Sequence, residues 1–191
     1  MDLSERVGVV TGGASGIGRA VAATMAQRKV KAVALVDQNA AVHEVARSLN
    51  QEAGREFAMP FEGDTTDEAF RASVFDTMSK AHGLVSLCVP AAGITRDDLA
   101  VRIDRNSGKA RIYPKAQFEL VVQVNLIAPV YWALEMIGRI AEDRAARGLK
   151  RWTAEERTQG SVVFIGSISS TGNRGQISYA STKAGLEGAA A

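Results

Sequence analysis

Short apolar runs alternate with longer amphipathic stretches along most of the chain. Val7-Gly8-Val9-Val10 is too short for a helix and suits a strand buried on both faces of a parallel sheet. Ile17, Ala20, Val21, Thr24 and Met25 then recur at helical spacing and are expected to form the inner face of a first helix. The run Ala32 to Val36 ends in Asp37, and residues 40–53 carry Val42, Val45, Ala46 and Leu49 on one helical stripe. Phe57 to Phe61 predicts a third strand. Phe70, Val74 and Met78 predict a third helix, and Leu84 to Val89 a fourth strand. From Lys115 to about Arg147 the pattern is one long helix, striped by Phe118, Val121, Val122, Asn125 and Ala128. Ser161 to Ile165 predicts a fifth buried strand, and Tyr179 is expected to open a last helix. Strands alternating with helices require right-handed crossovers. The expected fold is therefore α/β, a doubly wound parallel sheet in three α/β/α layers. No internal repeat or low-complexity linker interrupts it, so residues 1–191 are read as a single domain.

Two stretches depart from the alternation. Asp104-Arg105-Asn106-Ser107-Gly108-Lys109 has strong turn chemistry, and Val101, Ile103, Arg111 and Tyr113 alternate around it, which predicts a β-hairpin standing off the sheet edge. Residues 142–159 are charged without apolar periodicity, as expected of a helix end and a surface loop. Arg144, Arg147, Lys150 and Arg151 make a basic cluster there. It reads first as a solvated helix end, and more sharply as a docking patch for an acidic partner.

At 191 residues the chain can bury a core without metals or disulfides. A formal net charge of +2 argues for neither nucleic acid nor an anionic membrane as an obligate partner. The single cysteine, Cys88, excludes an internal disulfide, and its neighbours Leu87 and Val89 predict a buried thiol. His43 and His82 lie in helical stretches without Cys or acidic residues at ligand spacing, so no metal site is expected. The N-terminus lacks the basic flank and apolar run of a signal peptide, and no uninterrupted apolar stretch reaches the ~18 residues of a membrane helix. A cytoplasmic protein without a membrane span is expected.

The glycine-rich segment Thr11-Gly12-Gly13-Ala14-Ser15-Gly16-Ile17-Gly18 falls where the first strand turns into the first helix. Small residues there let a pyrophosphate approach the backbone, and the helix N-terminus presents free N–H groups and a positive dipole end. Asp37, at the tip of the second strand, is placed to accept from the adenosine ribose hydroxyls and would repel a 2′-phosphate. Neither Ser15 nor Gln38 is basic, so NAD(H) is favoured, with NADP(H) left open. Pro90-Ala91-Ala92-Gly93 follows the fourth strand on the face where ligands bind in open α/β sheets. Within the long helix, Pro129 lacks the N–H that the Asn125 carbonyl would otherwise receive, so a bend and a freed carbonyl are expected. Tyr179 and Lys183 share a helix face, and an ammonium beside a phenol favours the phenolate, readying it for proton exchange.

Taken together, Thr11-Gly12-x-x-x-Gly16-x-Gly18, Asp64, Asn125, Ser167, Tyr179 and Lys183 resemble, in order and approximate spacing, the Rossmann-type short-chain dehydrogenases/reductases. The resemblance spans essentially the whole chain. It implies Tyr179 as general acid/base, with Lys183 assisting it and holding the nicotinamide ribose. It implies Ser167 as the group that positions the substrate carbonyl or hydroxyl, and Asn125 as holder of a water that links Lys183 to solvent. Asp64 and Thr65 would contact the adenine, and Gly93 would close over the nicotinamide side. Gly93-Ile94-Thr95-Arg96-Asp97 and Gly172-Asn173-Arg174-Gly175-Gln176 resemble the 3-oxoacyl-[acyl-carrier-protein] reductases of fatty acid biosynthesis. That implies hydride transfer to an acyl-thioester substrate, with acyl carrier protein as a partner. An NAD-dependent alcohol, sugar or steroid dehydrogenase is the alternative reading, as is a non-catalytic cofactor-binding homologue. In this family the long helix pairs subunits, which implies a homodimer or homotetramer.

The chain also departs from the family pattern. Ala91-Ala92-Gly93 replaces the usual Asn-Ala-Gly, and Ser167 lies one residue closer to Tyr179 than is common, so Ser169 and Ser170 compete for its role. The hairpin and the 142–159 segment are longer than usual connections. Family members also continue beyond the position of Ala191 with further strands, a helix and a lid. The C-terminal strands are thus expected to be missing relative to the family, leaving a bare sheet edge.

Overall fold

The computed structural model describes residues 3–191. Five parallel strands form the central sheet: β1 (Val7–Thr11), β2 (Ala32–Asp37), β3 (Ala58–Glu62), β4 (Val85–Pro90) and β7 (Ser161–Val162), in the order β3-β2-β1-β4-β7. β1 pairs on one side with β2 and on the other with β4, so the chain winds outward to β3 and then returns. That return creates a crevice at the carboxyl ends of β1 and β4.

Alternation along the strands feeds two separate cores. Val7, Val9, Ala32, Ala34, Val36 and Cys88 point to one face, where α3 (Glu68–His82) and α5 (Ala128–Ala146) contribute Phe75, Met78, Trp132 and Met136. Val10, Val33, Leu35, Leu87 and Val89 point to the other, against α1 (Gly16–Gln27) and α2 (Ala41–Ala53). The expected three-layer α/β/α fold is the one observed. Cys88 is fully buried, and desolvation pushes its thiol up to about 12.

Several expectations are corrected in detail. The inner face of α1 is Gly18, Ala22 and Met25, one position off the predicted stripe, while Ile17 is 56% exposed. Two small residues bring this helix close to the sheet, and their weak apolar signal hid the register. Residues 161–165 do not make a fully buried strand: β7 is two residues long and half-buried, and Val163 is 54% exposed. Among the described residues the segment lies at the sheet edge and pairs with β4. The last helix, α6 (Ile177–Ala190), opens two residues before Tyr179.

The long helix is not continuous α. α4 (Lys115–Val122) passes into a π turn over Gln123–Ile127 before α5 begins, with the Ala128 N–H returning to the Gln123 carbonyl. Pro129 sits at the start of α5 and in regular α geometry would clash with the Asn125 carbonyl; the wider turn relieves this. Residues 115–146 include a window of mean hydropathy 1.6, long and apolar enough by composition to cross a bilayer although polar residues such as Gln123 and Asn125 interrupt it. Trp132, Met136 and Ile140 are buried against the sheet core, while Ile127, Tyr131, Leu134 and Ile137 form an exposed apolar stripe.

The hairpin forms as β5 (Val101–Ile103) and β6 (Ala110–Ile112), fully exposed and antiparallel. Asp104 organises its turn by accepting from the Ser107 N–H at 2.7 Å and the Asn106 N–H at 3.1 Å; the Ser107 bond is the main cause holding its carboxyl below the usual range. The basic cluster is partly neutralised within the chain. Arg144 is buried and ion-paired to Glu156, donating also to the Lys150 carbonyl at 3.1 Å, while Arg147 pairs with Asp143 at 2.7 Å.

Candidate active site

The crevice at the carboxyl ends of β1 and β4 is an open cleft of about 660 Å³. Gly12, Ser15, Gly16, Ile17 and Gly18 line one wall, Asp37, Asp64 and Thr65 another, and Ala91, Ala92 and Gly93 a third. Gly12 has a φ of 70°, and a Cβ there would lie 2.8 Å from the Ala92 nitrogen. Gly16 has a φ of 51° with open space around its missing Cβ. One glycine thus permits the backbones of the two walls to meet, while the other leaves room at the start of α1. The free N–H groups of that first helical turn and the bare backbone around them suit a pyrophosphate.

Thr11 is buried beneath the cleft. Its hydroxyl oxygen accepts from the Ala92 N–H at 3.1 Å, joining the glycine turn to the end of β4. Asp37 has a structural task that its sequence position did not disclose: Oδ2 accepts from the Ala14 N–H at 3.0 Å and Oδ1 from the Asn39 N–H at 2.9 Å. The carboxylate therefore holds the glycine turn as well as facing the cleft. Asp64 caps its own turn through the Thr66 N–H at 2.8 Å, and the Thr65 carbonyl accepts from Trp132 Nε1 at 2.9 Å.

Asn125 is completely buried in the π turn. Its Nδ2 donates to the Ile94 carbonyl at 2.7 Å and its Oδ1 accepts from the Ile94 N–H at 2.8 Å. This reciprocal pair fixes the segment that follows Gly93, a role beyond the one implied by the resemblance. Asn125→Ala would leave two backbone polar groups unpaired and is expected to cost about 2–4 kcal/mol of stability. A thermal unfolding midpoint unchanged from wild type would contradict the clamp.

Tyr179 and Lys183 lie one turn apart on α6, outside the lining of the glycine cleft. Lys183 is 6% exposed; its Nζ donates to the Ile165 carbonyl at 2.7 Å and lies 5.5 Å from the centroid of the Tyr179 ring. Burial pulls the Lys183 ammonium below its usual range. The Tyr179 hydroxyl makes no hydrogen bond among the described residues. Ser167 caps the 3₁₀ turn Ile168–Thr171 by accepting from the Ser169 N–H at 3.2 Å, which leaves its own hydroxyl proton unspent. Ser169, by contrast, is buried and donates to Gln176 at 3.0 Å. Among the described residues no group of three or more His, Cys, Asp or Glu converges as a metal site.

The cleft also recruits Thr66, Leu120, Gln123 and Val124, which sequence reasoning passed over, and Gln38, Ile94 and Arg96, which it named without placing them in the cleft. Leu120 comes from the last turn of α4, and Gln123 and Val124 open the π turn. The proline four residues after Asn125 was the available signal, although it pointed to a bend and not to a lining.

A family model for short chain dehydrogenases matches residues 6–191. The 3-oxoacyl-[acyl-carrier-protein] reductase FabG of Escherichia coli (strain K12) is 29% identical over 189 residues, 98% of this chain and 66% of that protein. The 3-oxoacyl-[acyl-carrier-protein] reductase of Mus musculus is 34% identical over 185 residues, 96% of this chain and 66% of that protein. FabG of Vibrio harveyi is 26% identical, again with 66% of its length covered. The chain thus spans just under two thirds of the length of these relatives. With a family match running from β1 to the end of α6, on a parallel sheet with its glycine turn at the switch point, the chain belongs to the short chain dehydrogenase family.

Proposed function

We propose that this protein is an oxidoreductase moving a hydride between a nicotinamide dinucleotide and a carbonyl/secondary-alcohol pair, with a 3-oxoacyl thioester as substrate. The observation that carries the reading is the pairing of a glycine-lined crevice with a helix that presents an uncommitted Tyr179 hydroxyl one turn from a buried Lys183. When bound, the dinucleotide supplies or accepts the hydride. Gly12, Ser15, Gly16, Ile17 and Gly18 hold its pyrophosphate, Asp37 its adenosine ribose, and Asp64 and Thr65 its adenine. Ala91, Ala92 and Gly93 bound the nicotinamide side.

In the reductive direction Tyr179 gives its proton to the oxygen that gains charge. Lys183 stabilises the phenolate left behind and holds the nicotinamide ribose. Ser167 donates its unspent hydroxyl proton to the same substrate oxygen. The Asn125 side chain is committed to Ile94, so its backbone carbonyl, to which Pro129 cannot donate, is the group left to hold a water on the path to Lys183. The names of the relatives and the loops Gly93–Asp97 and Gly172–Gln176 support the acyl-thioester assignment. Acyl carrier protein docking has less support than the sequence suggested, since Arg144 and Arg147 are paired internally. The exposed stripe Leu120, Ile127, Tyr131, Leu134 and Ile137 along α4 and α5 supports pairing of two copies.

Asp37 favours NAD(H) over NADP(H), and on that observation an NAD-linked dehydrogenase of alcohols, sugars or steroids is the second reading. Asp37→Ser is expected to shift preference toward NADPH by about tenfold, near 1.4 kcal/mol. An unaltered ratio of NADH to NADPH dissociation constants would remove Asp37 as the discriminator. The reading as a whole is tested by titrating the protein with NADH and NADPH, followed by turnover of an acetoacetyl thioester. Thioester-dependent oxidation of bound NADH supports it. Binding without turnover of thioesters or simple ketones would identify a non-catalytic homologue.

A further inference from the structure

Resting on that reading, we propose that Tyr113, at the foot of the hairpin, is a positioning residue for Tyr179 and acts through Ser178. The Tyr113 hydroxyl lies 2.6 Å from the Arg96 carbonyl and 3.1 Å from Ser178 Oγ. A phenol has one proton, and the carbonyl can only accept. The chain of bonds therefore has one direction: Ser178 donates to Tyr113, which donates to Arg96. Ser178 is 1% exposed and immediately precedes Tyr179, so its hydroxyl has no recourse to water if Tyr113 withdraws.

This bond is one of several that sew the segment after β4 to the start of α6. The Asp98 N–H donates to the Gly175 carbonyl at 2.9 Å, and Gln176 Nε2 donates to Asp97 at 2.8 Å. Asp98 also grips both hairpin strands, accepting from Arg102 at 2.8 Å and from Arg111 at 2.6 Å, residues that face each other across the ladder. The Tyr113 N–H closes the hairpin's base on the Ala100 carbonyl at 2.9 Å. The hairpin is thus a strut with one foot on the loop beside the glycine cleft and the other on the first turn of α6. Arg96, whose carbonyl accepts the Tyr113 hydrogen bond, itself lines the cleft. Through this strut the wall that meets the nicotinamide side and the helix carrying Tyr179 are held in one register.

The test is Tyr113→Phe, which keeps the ring and removes only the hydroxyl, beside Ser178→Ala and the double variant. In wild-type protein active on an acetoacetyl thioester, Tyr113→Phe should lower kcat about tenfold with the NADH dissociation constant unchanged. It should also displace the pH profile of kcat, since the proton donor is mispositioned. The double variant should be no slower than the worse single one, because both remove the same bond. A kcat and pH profile equal to wild type, or strictly additive losses, would overturn the inference. Hydrogen exchange of the amides of residues 177–183 provides a readout that does not depend on turnover. It should accelerate in Tyr113→Phe even if the wild-type protein proves inactive, and unchanged protection would overturn the positioning role on its own.

Discussion

Tyr179→Phe is expected to lower kcat by about 10²–10⁴-fold, the usual contribution of a positioned acid or base, while NADH binding stays at its wild-type strength. The hydroxyl it removes has no hydrogen-bond partner among the described residues, so no orphaned group is created and the unfolding midpoint should hold. This separation is diagnostic. A residue that merely packs α6 would lose stability along with activity, whereas a proton donor loses activity alone. Lys183 differs, because its ammonium is buried and bound to the Ile165 carbonyl, so changes there mix catalytic and structural effects. Turnover retained in Tyr179→Phe would assign the proton to another group.

Gly18→Ala should be the most damaging change in the glycine turn. A Cβ at Gly18 would meet the Gly12 carbonyl group, with the Gly12 carbon 2.7 Å away and the Thr11 oxygen 3.0 Å away. All of these are backbone atoms that cannot rotate aside. The turn must open, at an expected cost of about 1–3 kcal/mol, and NADH binding should become undetectable in a titration that saturates wild type. Gly16→Ala is the informative comparison. Its backbone is left-handed but nothing lies within 4 Å of the missing Cβ, so stability should fall less. Equal stability of Gly18→Ala and wild type by thermal unfolding would contradict the close approach of α1 to the turn.

Much of this architecture is legible in the sequence because apolar periodicity reports directly on burial. Val42, Val45, Ala46 and Leu49 are all buried as their spacing predicts, and each strand up to β4 falls within a residue or so of its apolar run. The exceptions have physical causes. Gly18 and Ala22 are buried on α1 but carry little hydrophobic signal, so the face of α1 was displaced by one residue. Ser161 to Ile165 is apolar enough for a buried strand, yet at the expected sheet edge only Ser161 and Val162 pair, because composition does not fix how far an edge strand extends. Polar residues that work by long-range bonding leave no pattern at all. Asn50 is buried and fixes the entry to β3 through the Phe57 and Ala58 N–H groups, and Asn125 fixes Ile94. The glycine turn and Asp37 were legible as a cleft lining, and Tyr179 and Lys183 as a pair one turn apart on a helix, because residue type and spacing together fix those placements. The clamp between Asp37 and Ala14, and the chain from Ser178 through Tyr113 to Arg96, are visible only in three dimensions.

The central claim, that this crevice and this helix together move a hydride, is tested most directly by isotope transfer. The protein is incubated with NADH deuterated on the nicotinamide ring and with an acetoacetyl thioester, and the product is examined by mass spectrometry. The account predicts a hydroxyacyl thioester with one deuterium on the former carbonyl carbon, formed by wild type and not by Tyr179→Phe. Absence of deuterated product with either labelled NADH or labelled NADPH, on thioesters and simple ketones alike and at saturating cofactor, would contradict it.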